Sequence, residues 1–342
     1  MGRALQLAAG VRCRTSPNPW VGCAVVAPDG TVLGSGATEP PGGTHAEVGA
    51  LRQAGERARG ATLVVTLEPC SHHGRTPPCT EAVVAAGVRR VVVGTLDPDP
   101  RVSGRGVAAL AAAGVDVAVG LRAEEVEEQL APYLKHRSTG RPWVVLKLAA
   151  SLDGRIAAPD GSAAWITGPE ARADVHELRA ASDAVLVGAG TVRADDPRLT
   201  VRPASGPEPL RQPLRVVLGA ADPGARVQPA LSLGGELPDV LDELGRRQVL
   251  QVLVEGGAGV ARQFHAAGLV DRYVLYFAPA LFGGEDAVPM FAGPGAGTVA
   301  DLWRGRLVDV RRVGHDLRVE VAPPARAPVP AEAGDGPDPE GA

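Results

Sequence analysis

Two successive blocks of short apolar runs, each run separated from the next by an amphipathic segment, leave this chain little room for anything but two α/β domains. In the first block, residues 17–38 (PNPWVGCAVVAPDGTVLGSGAT) read as two strands joined at Pro28, Asp29 and Gly30, a turn that closes a hairpin. The pattern continues as helix 45–58, strand 62–67, helix 77–86, strand 90–93, helix 106–113, strand 115–119 and an acidic amphipathic helix 124–134. Strands separated by helices pair in parallel through right-handed crossovers, so this block is expected to be a three-layer α/β/α domain.

The second block follows the RSTGR sequence at 137–141 and opens with the uninterrupted run WVVLKLAASLDGRIA, ending at Asp153 and Gly154. Its pattern predicts helix 169–181, strands 184–187, 199–202 and 214–218, helix 237–247 and strand 249–254. A glycine turn, a helix ending at Ala267, strand 272–278 and a hairpin over 307–321 complete it, an α/β unit with an antiparallel C-terminal edge. The units expected are 1–140 and 141–323, followed by a Pro/Ala/acidic tail, 324–342, whose composition predicts disorder.

Composition narrows the function. With 342 residues, 45% of them hydrophobic and 22% charged, each block can bury a core. A net charge of -4 and 3% aromatics offer no footprint for a nucleic-acid backbone, a flipped base or an anionic membrane surface. No apolar run reaches the roughly 18 residues of a membrane helix. MGRALQLAAGVRCR lacks the apolar core of a signal peptide. Four cysteines are too few for a disulfide scaffold in a chain of this length, which points to a reducing cytoplasm and free thiols.

Three of the potential metal donors are spaced for chemistry. His45-Ala46-Glu47 opens a helix, Glu68-Pro69-Cys70 ends a strand, and Cys79 starts the next helix. One imidazole and two thiolates form a three-ligand zinc set that leaves a tetrahedral position for water. Bound zinc brings the pKa of that water toward neutrality, and Glu47 would carry its proton to a departing amine. The pattern matches in part the H-x-E…P-C-x-x-C signature of zinc deaminases, with a longer excursion between the cysteines. The alternative is a closed structural zinc site, with His72 or His73 as fourth ligand. In the second block, Gly188-Ala189-Gly190 and Gly256-Gly257-Ala258-Gly259 fall short of a complete G-x-G-x-x-G, yet a glycine turn feeding a helix suits a pyrophosphate. Lys147, one of only two lysines, and Asp153 bracket a strand end facing the same cleft.

EPCSHHGRTPPC, with SPNPWVG upstream and LDPDPRVSGRG downstream, resembles the deaminase half of the bifunctional riboflavin-biosynthesis deaminase–reductase family. LKLAASLDGRIA, AWITG, VGAGTVRADDPRLTVR and LVEGGAGVARQF resemble, in that order, its reductase half, so the likeness extends nearly to Pro323. The resemblance implies a cytidine-deaminase-like first domain and a dihydrofolate-reductase-like second domain. It implies zinc on His45, Cys70 and Cys79, Asn18 and Glu47 on the pyrimidine, and His72 and Arg75 near the ribose phosphate. It places Asp97 and Asp99 on a substrate loop, Asp99 standing where the family usually has Asn. In the second half it implies NADPH against Ala149, Trp165, Thr191, Asp195 and the turn Gly257, Ala258 and Gly259. Substrate would meet Arg179, Leu199, Arg202 and Glu255, with Lys147 in the same cleft; Arg179 and Arg202 suit a phosphate monoester.

The activities implied are hydrolytic deamination of a diaminopyrimidinone ribosylamine phosphate and NADPH-dependent reduction of its ribose to a ribityl chain. The partners implied are these small pyrimidine phosphates and a second copy of the chain, meeting through the reductase domain. Three departures from the family pattern bear on this. The first helix begins a few residues short, and Ala163 stands where the family usually has Ser. The Gly/Pro/Ala-rich stretch 219–237 replaces a strand–helix–strand, which is expected to remove a sheet strand near the cofactor. An active deaminase with a degenerate or structural second half, or a deaminase of another pathway pyrimidine, stays open on these grounds.

Overall fold

The computed structural model describes residues 1–73, 77–100, 102–202 and 211–324; Arg75 and the tail expected to be disordered lie outside them, except for 324. Helices α1 (Gly2–Ala9) and α2 (Arg12–Thr15) precede the hairpin β1 (Gly22–Val26) and β2 (Val32–Ala37). Then follow α3 (Ala46–Ala54), β3 (Thr62–Leu67), α4 (Cys79–Ala85), β4 (Arg90–Thr95), α5 (Arg105–Ala112), β5 (Asp116–Val119) and α6 (Ala123–Thr139). The strands lie in the order β2-β1-β3-β4-β5, with β1 antiparallel to both neighbours and β3, β4 and β5 parallel. Helices α1 and α6 pack on one face while α3 packs on the other, beside α4 and α5. This is the three-layer domain that the strand–helix alternation predicts.

Strand direction decides where chemistry can gather. Cys23 registers with Val65 and Leu67 with Thr95, so the start of β1 lies beside the carboxyl ends of β3 and β4. Asn18, Cys70 and Asp97 therefore leave the sheet at one end, the position where open α/β sheets bind ligands. The start of α3 reaches the same end because β2 carries Gly36 beneath it. A Cβ at Gly36 would lie 2.1 Å from the Ala46 carbonyl oxygen.

The second domain runs β6 (Trp143–Ser151), β7 (Arg155–Ala157), α7 (Pro169–Ala180), β8 (Ala184–Gly188), α8 (Ala189–Asp195), β9 (Leu214–Leu218) and β10 (Leu231–Leu233). It continues with α9 (Leu237–Arg246), β11 (Gln251–Val254), α10 (Ala258–Ala266), β12 (Arg272–Ala278), β13 (Val288–Pro289), β14 (Arg306–Val313) and β15 (Asp316–Ala322). Its main sheet has the order β10-β9-β8-β11-β6-β12-β15-β14, parallel from β10 to β12 and antiparallel at the C-terminal edge. Both faces of its central parallel strands are covered, which is why these strands read as unbroken apolar runs. Val144, Leu146 and Leu148 enter one core with Leu241 and Phe264, while Val145 enters the opposite core with Val175 and Tyr276.

Two expectations for this domain fail. Residues 199–202 are not a strand. The Val201 N–H donates to the Gln212 side chain and the Arg202 N–H to His176 Nδ1, so side chains take the donors a sheet would need. Leu199, at φ +51°, breaks the extended path while its side chain stays buried. Nor does 219–237 remove a sheet strand. Leu231, Ser232 and Leu233 pair in parallel with Val216, Val217 and Leu218, forming the sheet edge as β10. The Gly219 N–H, bonded to the Leu233 carbonyl, closes that pairing, and the fully buried Val227 anchors the turn between the strands.

Helix α6 joins the domains. Its first turn carries Glu124 and Glu125, matched to the helix dipole, and it stops at Gly140, in the left-handed region at φ 75°. From its second half Lys135 pairs with Asp271 at 2.5 Å, His136 Nε2 lies 3.0 Å from the Gly245 carbonyl oxygen and Arg137 donates to Gln248. Leu250 of the second domain is fully buried in the first domain's core.

Candidate active sites

At the carboxyl end of the first sheet, one His and two Cys converge. His45 is the extended N-cap of α3, Cys70 lies just past β3, and Cys79 is the first residue of α4. His45 Nδ1 is 3.2 Å from Cys79 Sγ and 3.7 Å from Cys70 Sγ, and all three donor atoms lie within 4.8 Å of one another. Among the described residues no fourth His, Cys, Asp or Glu completes a closed set with them. His72 and His73 are exposed, with His73 3.8 Å from Glu81 instead. The Cys79 side chain and backbone N–H and the His45 ring hold Cys70 down at about 4, against the opposing effect of burial. That single thiolate, the second sulfur and the imidazole suit a zinc ion, which the donor geometry accommodates.

Glu47 sits in the first turn of α3, 4% exposed, close enough to hydrogen-bond the Cys79 side chain. Burial, reinforced by the Cys70 charge, pushes its carboxyl above the ordinary glutamate range. A carboxyl biased toward holding a proton next to a metal site suits proton transfer. Asn18 lies in the half-buried turn before β1, its N–H on the Thr15 carbonyl, at the same sheet end. Asp97 is buried, and both its oxygens are engaged: Oδ1 accepts the Asp99 N–H at 2.9 Å and Oδ2 the Tyr133 hydroxyl at 2.9 Å. It shapes the loop that carries it, and Asp99 is buried in the same loop. The sequence reading missed Glu68, a buried carboxylate at the end of β3 that binds this loop; nothing in its E-P-C context marks it, because its partners lie far along the chain.

A second site is a cleft of about 980 Å³ at the carboxyl ends of β6, β8 and β11. Ala149, Trp165, Thr191, Asp195 and Gly257 line it, as do Lys147, Arg179, Leu199, Arg202, Glu255 and Ala163. Thr191 and Asp195, four apart on α8, share a face, and Thr191 Oγ1 accepts the Gly257 N–H at 3.2 Å. Gly257 is the N-cap of the nine-residue α10, whose first N–H groups have no side-chain cap. Gly256 and Gly257, which lead into α10, line the cleft, so the start of the helix can face a ligand. The cleft volume, the open helix start and the adjoining cations fit a dinucleotide. Ala258, by contrast, is turned inward at 8% exposure, and neither it nor Gly259 lines the cleft.

Arg179 is not a free anchor for phosphate. Its Nε and Nη2 donate to Glu255 at 2.6 and 2.9 Å, and its Nη1 to the Thr200 carbonyl at 3.1 Å. Burial raises Glu255, but the Arg179 charge and hydrogen bonds, with Lys147, outweigh it and leave the carboxyl below its ordinary range. Lys147, half-buried beside the pair, is lowered by desolvation against the opposing pull of Glu255. Free cationic surface comes instead from Arg202 together with two residues the sequence reading missed, Arg198 and Arg226, which line the same cleft. Arg226 comes from the stretch 219–237, and its N–H is fastened to Asp196 Oδ1 at 2.7 Å. Asp153 lies outside the cleft lining; Ser151, Gly283 and Phe282 bond its carboxylate and hold it down at about 2, where it fixes a turn.

Comparison with known proteins identifies the family of each domain. The cytidine and deoxycytidylate deaminase zinc-binding region matches residues 1–95, and the RibD C-terminal domain matches 142–319. The chain is 42% identical to riboflavin biosynthesis protein RibD of Escherichia coli (strain K12), over 93% of this chain and 96% of that one. It is 44% identical to RibD of Mycobacterium tuberculosis (strain ATCC 25618 / H37Rv), over 93% and 94%. Among solved structures, Acinetobacter baumannii RibD, form 1, superposes with a TM-score of 0.89 at 40% identity, covering 94% of this chain and 97% of that chain. A diaminohydroxyphosphoribosylaminopyrimidine deaminase/5-amino-6-(5-phosphoribosylamino)uracil reductase from Thermotoga maritima superposes with 0.85 at 36% identity, again over 94% and 97%.

Proposed function

The chain belongs to the RibD family of riboflavin-biosynthesis deaminase–reductases, and we propose that His45, Cys70, Cys79 and Glu47 deaminate a diaminopyrimidinone ribosylamine phosphate whose ribose the second domain then reduces. The observation that carries this reading is the convergence of one imidazole and two sulfurs beside the buried Glu47 carboxyl. Zinc, held by those three donors, would supply a water that ionises near neutral pH. Glu47 accepts the proton of the attacking water and passes it to the amino group that leaves as ammonia. Asn18 and the loop of Asp97 and Asp99 border the pyrimidine, and His72 and Arg75 are assigned to binding its phosphate.

In the second domain NADPH supplies the hydride that converts the opened ribose to ribityl. The start of α10 with Thr191 would hold its pyrophosphate, and Trp165 and Ala149 would hold the nicotinamide. The Arg179–Glu255 pair holds the Thr200 carbonyl, and with it the backbone that presents Arg202. Arg198, Arg202 and Arg226 grip the phosphate monoester. Removing one charge-assisted contact costs about 1.5 kcal/mol or more, so R226A is expected to raise the reductase KM about tenfold with kcat little changed. Initial rates of NADPH oxidation against substrate concentration check this, and an unchanged KM excludes Arg226 from the anion site.

Incubation with substrate, zinc and NADPH, with ammonia and cofactor absorbance followed separately, tests the whole reading. Both signals are expected, ammonia first. Ammonia without NADPH oxidation would leave the second domain a structural role.

No helix among the described residues is long and apolar enough to cross a membrane. All four cysteines are free, in keeping with a cytoplasmic enzyme of small pyrimidine phosphates that binds no nucleic acid. Strand β14 ends the sheet with an unpaired edge and exposes Leu307 and Val310, a surface for a second copy through the reductase domain. Light scattering is expected to show an oligomer that L307K converts to monomer; a wild-type monomer at micromolar concentration rules the interface out.

A further inference from the structure

Glu68 is 4% exposed, yet it neither lies among the metal donors nor lines the second cleft. Its carboxylate accepts four main-chain hydrogen bonds. Oε2 takes the N–H of Asp97 at 3.3 Å and of Gly104 at 2.9 Å. Oε1 takes the N–H of Gly106 at 2.8 Å and of Val107 at 3.1 Å. The first pair spans the loop after β4, and the second belongs to the first turn of α5. The N-cap of α5 is Gly104, which at φ 75° has no side chain to offer, so Glu68 caps the helix from the neighbouring strand. The fit is tight: a Cβ at Gly106 would lie 2.0 Å from the carbonyl oxygen of Pro69, the residue between Glu68 and Cys70.

We infer that Glu68 is a positioning residue for deamination, fixing α5 and the loop of Asp97 and Asp99 against the strand end that carries Cys70. This rests on the deaminase reading above. A carboxylate can accept all four bonds, whereas a carboxamide must turn its NH₂ toward one donor pair and release it. Cys70 has other holds, since its sulfur accepts the Cys79 N–H at 3.4 Å and its carbonyl the Thr80 N–H at 3.2 Å. Glu68→Gln therefore loosens the loop and leaves the metal donors together.

In the full-length zinc-loaded protein, E68Q is expected to raise the deaminase KM about tenfold, with kcat falling less than about threefold. Zinc content and NADPH oxidation on deaminated substrate stay at wild-type levels. Amide exchange at Gly104, Gly106 and Val107 speeds up about tenfold or more while the β3 amides hold. If wild type releases no ammonia, the deaminase reading falls and takes this inference with it. If wild type turns over and E68Q keeps both its KM and its amide protection, the inference alone is wrong. Loss of zinc from E68Q also overturns it, since Glu68 would then serve the donors and not the loop. Should E68Q fail to fold, Glu68→Asp, one methylene short, is held to the same outcomes. Failure of both to fold would make Glu68 a core residue and end the positioning role.

Discussion

E47Q is expected to lose deamination by about 10²–10⁴-fold while keeping its zinc and its NADPH-dependent activity on deaminated substrate. The substitution preserves size and removes only the ability to gain and lose a proton. Glu47 is suited to that task because burial and the Cys70 charge favour its protonated form, whereas an exposed glutamate would stay ionised at neutral pH. The three donors come from the α3 N-cap, the loop just past β3 and the start of α4, so the metal site does not depend on the Glu47 charge. Metal analysis, ammonia release and NADPH oxidation on one preparation separate the contributions. Ammonia release within about tenfold of wild type would exclude Glu47 as the proton carrier.

The second large effect is expected at Glu255. Its pairing with Arg179 is bidentate, and the two side chains are only 9% and 12% exposed. Breaking a buried pair by removing one partner costs about 3–5 kcal/mol, because the remaining charge stays desolvated. E255A is therefore expected to lower the unfolding free energy of the second domain, read by urea titration, by that amount and to abolish NADPH oxidation, since Arg179 would release the Thr200 carbonyl. Replacing both with apolar residues of similar size should cost less stability than E255A alone, and a double-mutant cycle measures the difference. The pH dependence has a definite sign. Glu255 is depressed in the folded state, so its contribution is complete above the unfolded glutamate pKa, about 4.3, and is lost as pH falls through the lower folded value. An unfolding free energy for E255A within about 1 kcal/mol of wild type would show that the pair is solvated after all.

Legibility differed from residue to residue for physical reasons. The apolar runs of β3, β6, β8 and β11 announced themselves because strands covered on both faces have no polar positions to hide them. Residues 199–202 carry Leu-Thr-Val-Arg, an alternation that reads as a strand. Whether such a segment pairs depends on its neighbours, and here Gln212 and His176 reach its N–H groups first. Residues 231–233 have the opposite history: too short and too embedded in Gly and Pro to be seen, they became a strand because the open edge of β9 offered partners. Arg226 entered the cleft only through that strand's preceding turn, held by Asp196.

By itself the sequence determined the chemistry available: an imidazole, two thiols and a carboxyl at helix and strand ends, and a glycine turn ahead of a helix. These are local facts, set by residue type and by spacings within a few turns of chain. Only the tertiary structure decided which polar groups were already spent. Glu68 was committed to N–H groups up to 39 positions away, Arg179 to a carboxylate 76 away and Asp97 to a hydroxyl 36 away. A buried polar group must find a partner somewhere, and no local pattern says where along the chain that partner lies.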